Sequence, residues 1–228
     1  GIRYDKVMEC FPQAVWKKEE NFETDLKDAV MAAGEYIMFG CDDVVFTHAF
    51  SLCKAAAYLG SHDKVFGFSM RLGHNITPYP SNAVYYNGVM EWNWETAVEQ
   101  HYSYPWELDC TLYRKEDVAR LIDEEEKVIK NPNYLEAVIN ADNRSEKLPR
   151  KYLACNKERG CAVVITVNRV QDSYQNGFDD SMMTDVYSLD KLYNDEGNTL
   201  DVDRIAQQEN HVVHVGAEYF ILRKARKG

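Results

Sequence analysis

Residues 35–46 set two adjacent carboxylates directly behind an apolar run. Tyr36, Ile37, Met38 and Phe39, followed by Gly40, read as a short buried strand, and a buried strand excludes ionised groups because losing their hydration is costly. Asp42 and Asp43 therefore mark the point where the strand emerges. In an open α/β sheet the carboxyl ends of the strands line the ligand crevice, where two anions are placed to hold a divalent cation against a phosphate. Asp-Asp after a strand is also a turn and helix-capping signal, and the spacing leaves both readings open.

The surrounding pattern predicts strand-helix-strand-helix-strand. Residues 4–10 read as a strand. Asn21 then caps a helix whose Phe22, Leu26, Val30 and Ala33 share one face before Gly34. After the strand at 35–40, Thr47 caps a second helix carrying Phe50, Cys53, Ala57 and Tyr58, closed by Gly60, and residues 65–70 form the next strand. Such alternation favours an α/β fold with a mostly parallel central sheet flanked by helices. Residues 116–130 and 133–140 read as helices, the second entered through Pro132. Further strands are expected at 162–167 and 218–223, and polar loops at 172–188 and 195–203. Residues 74–106, rich in tyrosine, tryptophan, asparagine and proline, read as a long loop. Its Tyr79, Tyr85, Tyr86, Trp92, Trp94, Tyr102, Tyr104 and Trp106 make either a stacking surface or a covering layer.

A chain of 228 residues with 45% hydrophobic content can bury one substantial core, so one domain over residues 1–228 is expected, with 74–106 inserted over the sheet. The formal net charge of −11 argues against nucleic acid as a partner, because phosphate-backbone binding needs a basic face. A small phosphorylated ligand is not excluded, since a local cation overrides the global field. No apolar run approaches the roughly 20 residues needed to span a bilayer. The six cysteines lack zinc-type spacing, and reduced thiols imply a cytoplasmic setting. The sequons at Asn75 and Asn143 carry no functional weight.

Four segments in order, residues 36–46, 68–76, 104–109 and 167–171, together resemble bacterial glycosyltransferase-like proteins of the GT-A fold, with the likeness running from about residue 35 to 175. The resemblance implies a nucleotide-sugar site beside the strand ending at Gly40, with Cys41-Asp42-Asp43 in the place of the Asp-x-Asp motif. A divalent cation there, Mn2+ or Mg2+, bridges the two phosphates of a UDP- or GDP-type donor as the glycosidic bond breaks. Asp43 is then the principal metal ligand and Asp42 a second ligand or a ribose contact. Cys41 departs from the motif, where many relatives carry an acid.

The family also implies a metal ligand from the carboxyl-terminal part, for which His211 and His214 are the candidates. Asp109 falls on the acceptor side as the base that deprotonates the incoming hydroxyl, with Glu107 as runner-up. Arg71 and Arg169, at the ends of apolar strands, can each pair with a donor phosphate or with an internal carboxylate. GT-A domains open with a strand-turn-helix that grips the nucleobase, yet only about 34 residues precede the strand leading to Asp42. The chain is then either a fragment lacking that first strand-helix unit or has a reduced nucleotide pocket. The function expected is metal-dependent transfer of a sugar from a nucleoside diphosphate to an unknown acceptor, possibly a carbohydrate. The alternative is a noncatalytic nucleotide- or carbohydrate-binding protein with a degenerate form of the fold.

Overall fold

The computed structural model describes residues 2–141, 144–167 and 185–225. The elements begin with helices α1 (Asp5–Cys10) and α2 (Phe22–Ala32), strands β1 (Tyr36–Met38) and β2 (Val44–Phe46), and helix α3 (Leu52–Ser61). Strands β3 (Val65–Ser69), β4 (Val84–Tyr86), β5 (Val89–Asn93) and β6 (Thr111–Arg114) follow. Next come helices α4 (Lys115–Asp123), α5 (Pro132–Ile139) and α6 (Arg144–Lys147), then strands β7 (Tyr152–Asn156) and β8 (Ala162–Ile165). Beyond these lie α7 (Val186–Asn194), β9 (Asn198–Leu200), α8 (Val202–Ile205), β10 (His214–Val215) and β11 (Leu222–Lys224).

The chain divides into two compact units. The larger holds residues 20–164 and 210–213. Its centre is a six-stranded sheet in the order β1-β6-β3-β7-β5-β4. Strand β3 feeds both faces of the sheet: Phe66 enters one core with Trp92, Trp106, Tyr113, Val118, Leu121 and Leu135, while Val65 and Phe68 enter a second with Ala55, Leu59 and Leu112, the usual side-to-side alternation being broken where the β3–β7 register shifts between Val65 and Gly67. Residues of α2, α4 and α5 build the first core and residues of α3 the second, so helices cover both faces of the sheet. This is the α/β arrangement the pattern predicted.

The sheet is mixed rather than mostly parallel. Only the β3–β7 pair runs parallel; β1–β6, β3–β6, β5–β7 and β4–β5 are antiparallel. The alternation misleads because β2 does not join this sheet and pairs instead with β8, Val44 opposite Val164. A pairing across some 120 residues leaves no trace in local periodicity. At Gly67 a Cβ would lie 2.7 Å from both Thr111 Cγ2 and Tyr113 Cε1, so the side chains of β6 close over bare backbone. Gly67→Ala is expected to destabilise the protein by about 1–3 kcal/mol, read as a lower denaturant midpoint.

Local signals hold at several ends and fail at others. Asn21 caps α2 by accepting from the Thr24 N–H, and Asn131 caps α5 ahead of Pro132. The second predicted helix begins later, capped by Ser51 rather than Thr47, because residues 44–46 are committed to β2. Residues 5–10 form a helix, not a strand, and α4 stops at Asp123, short of the expected residue 130. Within 74–106 the chain forms the hairpin β4–β5 instead of a continuous loop. Asn87 and Gly88 turn it at positive φ, the geometry that matches strand twist. Here the aromatic rings divide: Trp92, Trp94, Tyr102 and Trp106 are fully buried, whereas Tyr79, Tyr85 and Tyr86 are exposed. The covering-layer reading therefore applies to the buried tryptophans and Tyr102, and the exposed tyrosines lie outside that layer.

The smaller unit holds residues 1–19, 165–209 and 214–228. Asp185 and Asp201 cap α7 and α8, and β9 pairs antiparallel with β11. Strand β9 therefore lies where a polar loop was expected, and the strand near the carboxyl end falls at Leu222–Lys224, after a 3-10 turn over Ala217–Tyr219. Arg3 ties the amino-terminal segment to α7 through Asp190 at 2.6 Å and to Asp195 at 2.7 Å. Three cysteines are buried and three exposed, all with free thiols. Among the described residues no helix is long and apolar enough to cross a membrane.

Candidate functional site

Sheet register brings the site together. The Cys110 N–H donates to Phe39 O at 2.9 Å and continues the β1–β6 ladder outward, so the stretch entering β6 lies beside the chain leaving β1. On the other side the Met70 N–H donates to Cys110 O at 2.9 Å, setting the chain that leaves β3 against the same stretch. Asp109 thus stands between Cys41 and Asp43 from one neighbour and Arg71 from the other. Cys110 turns this stretch at φ 66, a left-handed conformation unusual for a residue with a Cβ and roughly 1–2 kcal/mol unfavourable by itself. Docking on α5 holds it: Asn140 Nδ2 donates to Trp106 O at 2.7 Å, and the Leu108 N–H donates to Glu136 Oε1 at 2.7 Å.

The ligand atoms of Cys41, Asp43 and Asp109 all lie within 4.8 Å of one another. Two carboxylates this close, partly removed from water, resist ionising together. Burial, then Asp109, then Asp42 push the Asp43 carboxyl up to about 6. Burial and then Asp109 likewise raise the Cys41 thiol well above its ordinary value, so it keeps its proton at neutral pH. Glu136 stands at the edge of this group. Burial pushes it up to about 7, with Asp109 adding to the rise and the Leu108 N–H opposing it.

Beneath the carboxylates runs a buried cation. The Arg71 guanidinium is ion-paired with Glu107 and, through Nη1, with Asp109 Oδ2 at 3.2 Å. Glu107 also accepts from the Thr111 hydroxyl and, at 3.3 Å, from Ser69 Oγ. Arg71 and Glu107 are 5% and 6% exposed, so each is the other's compensation for lost hydration.

The donor set fits a hard divalent cation. Two carboxylates supply charged oxygens and leave coordination positions for water and phosphate oxygens, the pattern typical of Mg2+ and shared by Mn2+. The protonated Cys41 thiol is a poor ligand for either ion. A bound cation would also stabilise the ionised form of Asp43, which its surroundings now disfavour.

Of the residues singled out from the sequence, Asp43, Asp109, Glu107 and Arg71 come together here. Asp42 is exposed and stands outside the three-residue group. His211 lies in the larger unit with Nδ1 3.1 Å from Asn75 O, whereas His214 begins β10 in the smaller one. Arg169 lies outside the described residues, as do the sequon position Asn143 and much of the expected loop at 172–188. Sequence reasoning missed Glu136 as a member of the site, and it missed Ser69 and Thr111 as its supports. A glutamate one place from the buried Leu135 looks, in sequence, like any carboxylate at the rim of an amphipathic helix.

Compared with known proteins, the chain is similar to the bifunctional glycosyltransferase pgtA of Dictyostelium discoideum, at 31% identity over 216 residues. The match covers 83% of this chain and 28% of that protein, so the chain corresponds to little more than a quarter of its relative's length. No family model matches the chain. No solved structure matches it either.

Proposed function

We propose that the chain is a metal-dependent glycosyltransferase that moves a sugar from a nucleoside-diphosphate donor to an acceptor, on a GT-A-like framework. The observation that carries the reading is the convergence of Asp43 and Asp109 within 4.8 Å, at the end of the first strand of a sheet in a chain similar to a glycosyltransferase. The group's chemistry and the similarity support it independently.

In this reading Asp43 and Asp109 hold Mn2+ or Mg2+. The cation, when bound, neutralises charge on the departing diphosphate. Asp109 is assigned to the cation rather than to the acceptor hydroxyl because it lies within reach of Asp43 and is oriented by its ion pair with Arg71. Glu107, taken up by Arg71, Thr111 and Ser69, positions that arginine rather than meeting substrate. The ribose contact is assigned in this reading to Asp42, which is exposed and stands next to Asp43 in the chain.

Release of UDP or GDP from a panel of nucleotide sugars, with Mn2+ or with EDTA, tests the proposal. We expect cation-dependent release from at least one donor. Cation-dependent thermal stabilisation by UDP or GDP without turnover of any donor would point instead to the noncatalytic binding protein.

A further inference from the structure

The loop joining β7 to β8 carries two cations that no carboxylate among the described residues answers. Among the described residues neither Lys157 nor Arg159 forms an ion pair, and Glu158 between them pairs with neither, in a chain of formal net charge −11. Lys157 Nζ lies instead 5.5 Å from the centre of the Tyr85 ring. Arg159 Nη1 lies 2.6 Å from His48 Nε2, and His48 Nδ1 lies 3.0 Å from Thr47 Oγ1. The Thr47 hydroxyl donates to Cys161 O at 3.3 Å, so its oxygen is left to accept from Nδ1–H and the Nε2 lone pair receives the guanidinium. A neutral histidine thereby orients an exposed arginine through one of its five N–H donors.

Beside these cations stand exposed rings. His74 and Tyr79 are 4.0 Å apart at 34°, and His74 and Tyr85 are 6.1 Å apart edge-on. Tyr79 and Tyr85 are each 41% exposed. The backbone under them is pinned from three sides. The His74 N–H donates to Lys157 O at 3.0 Å, the Lys157 N–H to Gly88 O at 2.8 Å, and the Gly160 N–H to Asn75 Oδ1 at 2.9 Å. Gly73 and Gly160 let the two segments touch: a Cβ on Gly160 would run into Arg71 O, and one on Gly73 into the Arg159 backbone. Below, the buried Tyr102 hydroxyl donates to Gly73 O at 2.8 Å.

We propose that this surface, formed by His74, Tyr79 and Tyr85 with Lys157 and Arg159, binds an anionic saccharide that serves as the acceptor. Flat rings accept the C–H faces of pyranoses, and a sugar carboxylate or phosphate meets the unanswered guanidinium and ammonium through charge-assisted hydrogen bonds. Because the segments are already fixed, little ordering opposes binding. The acceptor role rests on the glycosyltransferase reading; the binding itself does not.

Affinity electrophoresis of the full chain in EDTA, without nucleotide, tests it, using hyaluronan, polygalacturonate and phosphomannan against dextran and neutral mannan. We expect retardation by at least one acidic polymer and not by its neutral counterparts. It should weaken about tenfold or more in Lys157→Ala/Arg159→Ala and in Tyr79→Ala/Tyr85→Ala, with melting temperatures reporting that each variant is folded. Retardation by none of the acidic polymers, equal retardation by neutral ones, or retention that survives loss of both tyrosines overturns the proposal. Saccharide binding with no donor turnover would sink the enzymatic reading alone, and turnover without saccharide binding would sink this one alone.

Discussion

Asp43→Asn is expected to lower sugar transfer by about 100-fold or more, the scale seen when one element of transition-state charge stabilisation is removed, while the protein stays folded. Asparagine keeps the shape and loses the charge that would hold the cation. The same substitution should stabilise the cation-free protein at neutral pH. In the folded state the Asp43 carboxyl is pushed up to about 6 from an ordinary 3.8, so the folded protein binds this proton more tightly than the unfolded chain does. Its contribution therefore turns unfavourable as pH rises from about 4 to 6, and stays so above. With the site partly solvated, the penalty relieved is on the order of 1 kcal/mol. Melting curves of wild type and variant in EDTA should coincide near pH 4 and separate at pH 7.5, with the variant melting higher. Saturating Mn2+ should narrow or reverse that separation, because only the wild type gains a ligand.

Arg71→Met is expected to destabilise the protein by about 3–5 kcal/mol, measured by denaturant unfolding, since it strands the buried carboxylate of Glu107. Adding Glu107→Gln should recover part of that loss, as the double variant removes the orphaned charge along with its partner. Arg71→Lys should not restore the wild-type value. One ammonium lacks the planar fork with which the guanidinium meets Glu107 and Asp109 together. A donor-phosphate role for Arg71 would instead leave stability near wild type and show its effect in donor KM.

Much of the fold was legible where a local rule decides it. Asn21 and Asn131 announce helix starts, and the runs at 36–39 and 65–69 announce strands. The Asn87-Gly88 pair was an equally strong hairpin signal, obscured by tyrosines and prolines that made the whole of 74–106 look like loop. The order and direction of the strands were not legible, because the β2–β8 and β1–β6 pairings join segments far apart in sequence. The site divides in the same way. Asp43 stood out as an acid at the end of an apolar run, whereas Asp109 was singled out through the family resemblance, as an acceptor-side base rather than a neighbour of Asp43. The contact of Arg71 with Glu107 arises only when β3 and β6 lie side by side, and the nearness of Glu136 only when α5 packs beneath residues 106–108. Cys41, read as a departure from an acidic motif, keeps its thiol beside both aspartates.

The central claim is that Asp43 and Asp109 gather a cation that grips a diphosphate. Titrating the full chain with Mn2+ at pH 7.5 and following the free ion by electron paramagnetic resonance, with UDP, with GDP and with neither, tests it most directly. The account predicts a single site that tightens with one of the nucleotides and is lost in Asp43→Asn. Manganese left entirely free in all three titrations, or bound equally well by Asp43→Asn, would contradict it.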